Sequence, residues 1–229
     1  MIIINVSIMY SLLFLLFSIG GWWTAFHYIR QYWNQNTAIV KNAVHFIHAL
    51  FFIVFYKGSN TPIAITNSVL CSIGFYCFDT IYLLRQCTLD VINVKRNAVY
   101  LVHHTIATYG LWLAFIDHYR HEILHFYYLL EYSNFLLYIS YHMHKAYPEY
   151  KNAILVSECF QFVWYSYFRI VRFVLYFVQV RNDYFEINHL FIQIGLILLF
   201  VMGIFWSLSL FKKCASGLLI TTDEIIKYD

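Results

Sequence analysis

Apolar residues run through this chain in long blocks separated by short polar stretches, instead of alternating or keeping to one helical face. A helix that crosses the hydrocarbon core of a bilayer needs about 20 mainly apolar residues at about 1.5 Å rise each. On that criterion the chain predicts an all-α, polytopic transmembrane bundle. The spans fall at Val6–Phe26, Val44–Tyr56, Ile63–Leu84, Ala98–Ile116, Ile123–Tyr141, Ser157–Val180 and Ile187–Phe211. That makes seven, with six as the alternative if the short second block is re-entrant. Lys41, snorkelling its ammonium to the interface, lets that helix begin near Ala38 and reach a usable length. Both prolines, Pro62 and Pro148, fall in the predicted loops, where a missing N–H does no harm. Organisation follows from the blocks: residues 1–36 hold a first span and a loop, 37–211 a helical membrane domain, and 212–229 a short tail.

Composition agrees with a membrane location. Of 229 residues 61% are hydrophobic and only 12% charged, against about 25% charged in an ordinary soluble domain. That much apolar surface has to face lipid. The first block lacks a basic start and a small-residue cleavage site, so it reads as a retained span, not a signal peptide. The charges carry an orientation. Arg30, Lys41, Arg85, Lys95, Arg96, Lys145, Lys151, Lys212, Lys213 and Lys227 fall on one side; Lys57, Arg120 and Arg181 fall on the other. The positive-inside rule makes the first side cytoplasmic and puts Met1 in the lumen or outside. Nucleic acid is excluded as a partner, since no basic stripe follows a phosphate backbone.

The residues that do not belong in lipid carry the candidate chemistry. A charge at mid-membrane costs about 2.5–3.5 kcal/mol on insertion scales and points by default to a functional interior. These residues are His45 and His48 in the second block, Asp79 in the third, His103 and His104 in the fourth, Glu131 in the fifth, and Arg169 and Arg172 in the sixth. The two arginines, three apart, are expected to share a face and look at a carboxylate or an anionic head group, with Asp79 and Glu131 as available partners. Adjacent His103 and His104 point about 100° apart, so one of them is expected to work, as general base or nucleophile. The bland alternative is a set of buried pairs that fix helix packing and nothing more.

Metal binding is weakly supported: the chain has eleven histidines, but their spacing is not that of a metal site, and no metal site or resident cofactor is expected. His142 and His144 read as interfacial. Five cysteines show no C-x-x-C and no disulfide framework. Cys214, beside Lys212 and Lys213, is a candidate for S-palmitoylation, with an ordinary juxtamembrane thiol as the alternative.

The order of several short stretches resembles the TLC domain family. They are Lys41-Asn42-Ala43-Val44-His45-Phe46-Ile47-His48-Ala49, Tyr76-Cys77-Phe78-Asp79, Val102-His103-His104-Thr105, Leu129-Leu130-Glu131-Tyr132-Ser133-Asn134 and Phe168-Arg169-Ile170-Val171-Arg172-Phe173. The resemblance covers Thr37 to Phe211. It implies a helical bundle of the endoplasmic reticulum or a related membrane acting in lipid metabolism, sensing or trafficking, with His104, Asp79, Glu131 and Arg172 as its core. The ceramide synthase branch, which transfers an acyl chain from acyl-CoA, carries a His-Asp pair and a further Asp upstream of the glutamate. Here those places hold Ile123, Leu124 and Tyr127, so the chain is more similar to the branch that influences membrane lipid composition.

Three functions follow as expectations. The leading one is lipid homeostasis, in which a polar cavity binds or senses a lipid head group, with acyl transfer at His103 or His104 and acyl-CoA as the donor. The second is a transporter or channel lined by Asp79, Glu131 and Arg172, against which the scarcity of helix-breaking residues argues. The third is a chaperone-like partner of other membrane proteins.

Overall fold

The computed structural model describes residues 2–58, 61–89, 94–116, 120–181 and 190–226; these are nearly all helical, with no strand among them. The helices are α1 (Ile2–Tyr32), α2 (Thr37–Gly58), α3 (Pro62–Leu89), α4 (Val94–Ile116) and α5 (Arg120–Ala146). Then α6 (Lys151–Ser166) runs unbroken through a π-helical segment (Tyr167–Arg172) into α7 (Phe173–Gln179), and α8 (Leu190–Ile226) follows. The expected start of the last span at Ile187, and Lys227, lie outside the described residues.

Five helices are long and apolar enough to cross a membrane: Met9–Tyr32, Thr37–Gly58, Pro62–Thr88, Ala98–Ile116 and Gln193–Gly217. Large apolar side chains on them, among them Leu16, Phe17, Ile81 and Phe205, point outward. Water would not tolerate that surface, and lipid does. The other two expected spans coincide with helices of different character. α5 carries Glu122, Glu131 and Lys145, and α6 has only sixteen residues before its turn widens.

The start of α2 shows how the short second block reaches length. Asn36 Oδ1 accepts from the backbone N–H of Ala38 (3.0 Å) and Ile39 (3.4 Å), which caps the helix one residue ahead of the expected start. The 22-residue helix therefore takes Lys41 into its second turn. Thr61 precedes α3, its hydroxyl 3.4 Å from the N–H of Ala64. Pro62 is the first helical residue instead of a loop residue, at the position where its missing N–H is harmless.

The chain divides into two compact units between Tyr128 and Leu129, within α5. In the first, α3 is the central helix, packed on α1, α2 and α4. Its apolar stretch is 61% buried, against 17% for that of α1. The approach of α1 to α3 is close at Gly74, where a Cβ would collide with the Ser18 side chain.

In the second unit α6 and the π segment pack on α8. Trp164 Nε1 donates to the Tyr132 carbonyl at 2.8 Å, and the hydroxyls of Ser166 and Ser207 bond to each other. α8 has 37 residues, about 55 Å of helix against a hydrocarbon core of about 30 Å. The expected tail from Lys212 is thus a continuation of that helix as far as Ile226. Cys214 is buried, so the thiol considered for palmitoylation is inside the packing and not at a surface.

Candidate functional site

Lys41, His45 and His48 are four and then three residues apart on α2, a spacing that lines them along one stripe. That stripe faces α3. Asp79, on α3, is 1% exposed. Lys41 Nζ lies 3.1 Å from its Oδ1 and His45 Nε2 lies 3.2 Å from its Oδ2. From α4, His104 Nδ1 comes to 3.5 Å of the same Oδ2. One carboxylate thus gathers basic groups from two other helices. Lys41 also lies over the Tyr82 ring, 5.1 Å from its centroid.

The wall behind this centre is aromatic. His48 is stacked on Phe75, centroids 3.8 Å apart, and its Nε2 is 3.1 Å from Ser72 Oγ. Trp22 stands edge-on to His48, and its Nε1 donates to the Cys71 carbonyl at 3.1 Å, which the Ser18 hydroxyl shares. Tyr76 packs against the His104 ring at 5.1 Å and the Tyr127 ring at 5.9 Å. His48, named in the sequence as a site candidate, is therefore part of the wall and is not on the carboxylate.

Taking a carboxylate out of water costs several kcal/mol, about as much again for its cation, and good geometry is needed to repay it. Here Lys41 and His45, themselves 26% and 20% exposed, bring their nitrogens to ion-pair distance from the rim while Asp79 lies inside. His104 Nδ1 faces the carboxylate at ion-pair distance without a hydrogen bond to it. Of the adjacent pair it is His104 that reaches Asp79. His103 is half-buried and its ring is 6.5 Å from that of Tyr76.

In the second unit the arginines part company. Arg169 is fully buried and Arg172 is exposed. The expected shared face rests on α-helical spacing, which leaves residues three apart about 60° from one another. The segment Tyr167–Arg172 is π-helical. Its i→i+5 bonding puts more residues into each turn and swings the two side chains further apart. Asp79 belongs to the first unit, and within that unit Lys41 and His45 lie on its carboxylate. Glu131 is 4% exposed on α5, next to Leu130, whose carbonyl accepts from Arg169 Nη1 at 3.3 Å.

Two residues of these sites are missed by the sequence reading. Lys41 reads as a snorkelling lysine, yet its spacing to His45 and His48 places it on their face. Glu158 is an acid inside an apolar block, and the structure puts both His144 and Lys213 on its carboxylate. His144 is thus a partner of the Glu158 carboxylate and not simply an interfacial residue. Among the described residues no group of three or more His, Cys, Asp or Glu is arranged to hold a metal ion. Compared with protein-family models, with curated proteins and with solved structures, the chain matches none.

Proposed function

We propose that this is a multi-pass membrane protein of TLC type that acts in membrane lipid homeostasis, with the Asp79 centre receiving a lipid head group. The observation that carries this reading is the buried carboxylate of Asp79 with Lys41, His45 and His104 around it, inside helices apolar enough to span a bilayer. Seven spans with Met1 lumenal or outside and the other end cytoplasmic go with it. Because Lys41 pairs with Asp79, it leaves the count of loop charges, and nine basic residues still stand against three.

The position of the centre favours cytoplasmic reactants. Lys41 is four residues from the start of α2, Asp79 ten from the end of α3, and His104 ten from the start of α4. At about 1.5 Å per residue these are depths of about 6, 15 and 15 Å, all measured from the side rich in basic residues. A water-soluble acyl donor such as acyl-CoA reaches the centre from that side, and a lipid acceptor reaches it from the bilayer. In such a transfer His104 Nε2 takes the proton from a lipid hydroxyl or amine as that group attacks the thioester. The thiolate leaves and recovers the proton, giving acyl-lipid and free thiol. The membrane is that of the endoplasmic reticulum or a related compartment.

Lipidomics of cells making the wild type, cells making His104→Ala, and cells with an empty vector tests the proposal. The wild type is expected to shift the membrane lipid profile and His104→Ala to return it to that of the empty cells. Three identical profiles would remove the lipid role. Ion or proton flux into liposomes, abolished by Asp79→Asn, would put a transporter in its place.

A further inference from the structure

Arg169 presents an unsatisfied edge in the second unit. It occupies the third position of the π segment and is 0% exposed. α8 makes room for it at Gly203, where a Cβ would run into the arginine's Cγ. Its guanidinium lies 5.7 Å from the Tyr165 ring centroid and 5.9 Å from that of Trp206. Nη1 donates to the Leu130 carbonyl at 3.3 Å. Nε and Nη2 are buried and reach no hydrogen-bond acceptor among the described residues.

Those two nitrogens belong to the same edge of the guanidinium. Their N–H bonds run parallel, at the separation of two oxygens of one carboxylate or phosphate, which is the geometry of the bidentate fork. Arginine does not escape burial by losing its proton. The fold therefore holds a permanent cation among aromatic faces, satisfies one side of it with a neutral carbonyl, and leaves the fork unused. π-helical segments occur mostly as single-turn insertions in α-helices, frequently at functional sites. This one sets Arg169 inward while Arg172 remains outside.

We propose that the Nε and Nη2 edge of Arg169 is a binding site for an oxyanion, a carboxylate or phosphate, carried on a lipid chain or free in solution. The inference goes beyond the Asp79 centre. It concerns different residues in a different unit and stands whether or not His104 has any chemistry.

Native mass spectrometry of the full chain, delipidated in mild detergent, tests it with four probes: oleate, phosphatidate, uncharged diacylglycerol and inorganic phosphate. Oleate or phosphatidate is expected to bind the wild type one to one and Arg169→Gln about tenfold or more weakly, the loss typical of a charge-assisted pair. Arg169→Lys, which keeps the charge without the fork, is expected to fall between, and diacylglycerol not to bind. The same Arg169-dependent binding of inorganic phosphate would give the site to free anions. If Arg169→Gln does not purify, Gly203→Ala serves instead, since it crowds the arginine without removing it, and the same weakening is expected. Equal affinity of wild type and variants for every anion would overturn the proposal. So would equal loss of melting temperature in Arg169→Gln and Glu131→Gln with no effect of any anion, because that pattern identifies an internal pair.

Discussion

Replacing Asp79 by asparagine is expected to lower the stability of the purified protein by about 3 kcal/mol, the lower part of the range for breaking a buried ion pair from one side. The upper part is not reached because Lys41 and His45 sit at the rim and regain some water once released. For a chain of this length that is a fall of about 6–12 °C in melting temperature. The amide would keep the shape and one acceptor but not the charge that draws Lys41 from α2 and His104 from α4 onto α3. Lys41→Met should cost less, since the acid keeps His45. A double-mutant cycle between positions 41 and 79 is expected to return a coupling energy well above that of a surface pair, which is at most about 1 kcal/mol. A melting temperature unchanged by Asp79→Asn would mean that the carboxylate holds nothing together.

Arg169 leads to the opposite expectation. Methionine has nearly its length and no charge, so Arg169→Met exchanges a buried guanidinium with an unused fork for apolar packing against Tyr165 and Trp206. Such exchanges are often neutral or stabilising by about 1–4 kcal/mol. Losing the bond to the Leu130 carbonyl takes back about 1 kcal/mol. The ligand-free variant is therefore expected to melt level with the wild type or a few degrees above it, a gain of about 0–3 kcal/mol. A residue kept at the cost of stability is the mark of a functional position. A large drop in melting temperature for Arg169→Met would make the arginine a structural one.

The two expectations differ because of features that are unequally legible in the sequence. The apolar blocks and the helical class can be read directly, since the hydrocarbon core dictates how long an apolar run must be. Asp79, Glu131, His104 and Arg169 also announce themselves, because each is expensive where it sits. What cannot be read is distance between helices. Nothing in a linear pattern says that the carboxylate of Asp79 lies against α2 at Lys41, and Lys41 has a sufficient explanation as a snorkelling residue. The spacing of Lys41, His45 and His48 is the available signal.

The π segment is invisible for a different reason. Tyr167 to Arg172 contains no Gly or Pro to mark a departure from α-helical winding. A face drawn at 3.6 residues per turn therefore places Arg169 and Arg172 together, and the wider turn separates them. Glu158 is hidden by its position at the start of a block, where an acid looks like part of a loop. Its two partners, His144 and Lys213, come from the ends of α5 and α8, one of them far away in sequence.

That the Asp79 centre receives a lipid is the central claim, and the lipid that travels with the protein tests it most directly. Wild type and Asp79→Asn, purified in the same mild detergent, can be extracted and their lipids counted per protein by mass spectrometry. One lipid class is predicted to be enriched near one per protein with the wild type and lost with Asp79→Asn. Bulk membrane lipid in the same proportions with both would contradict it.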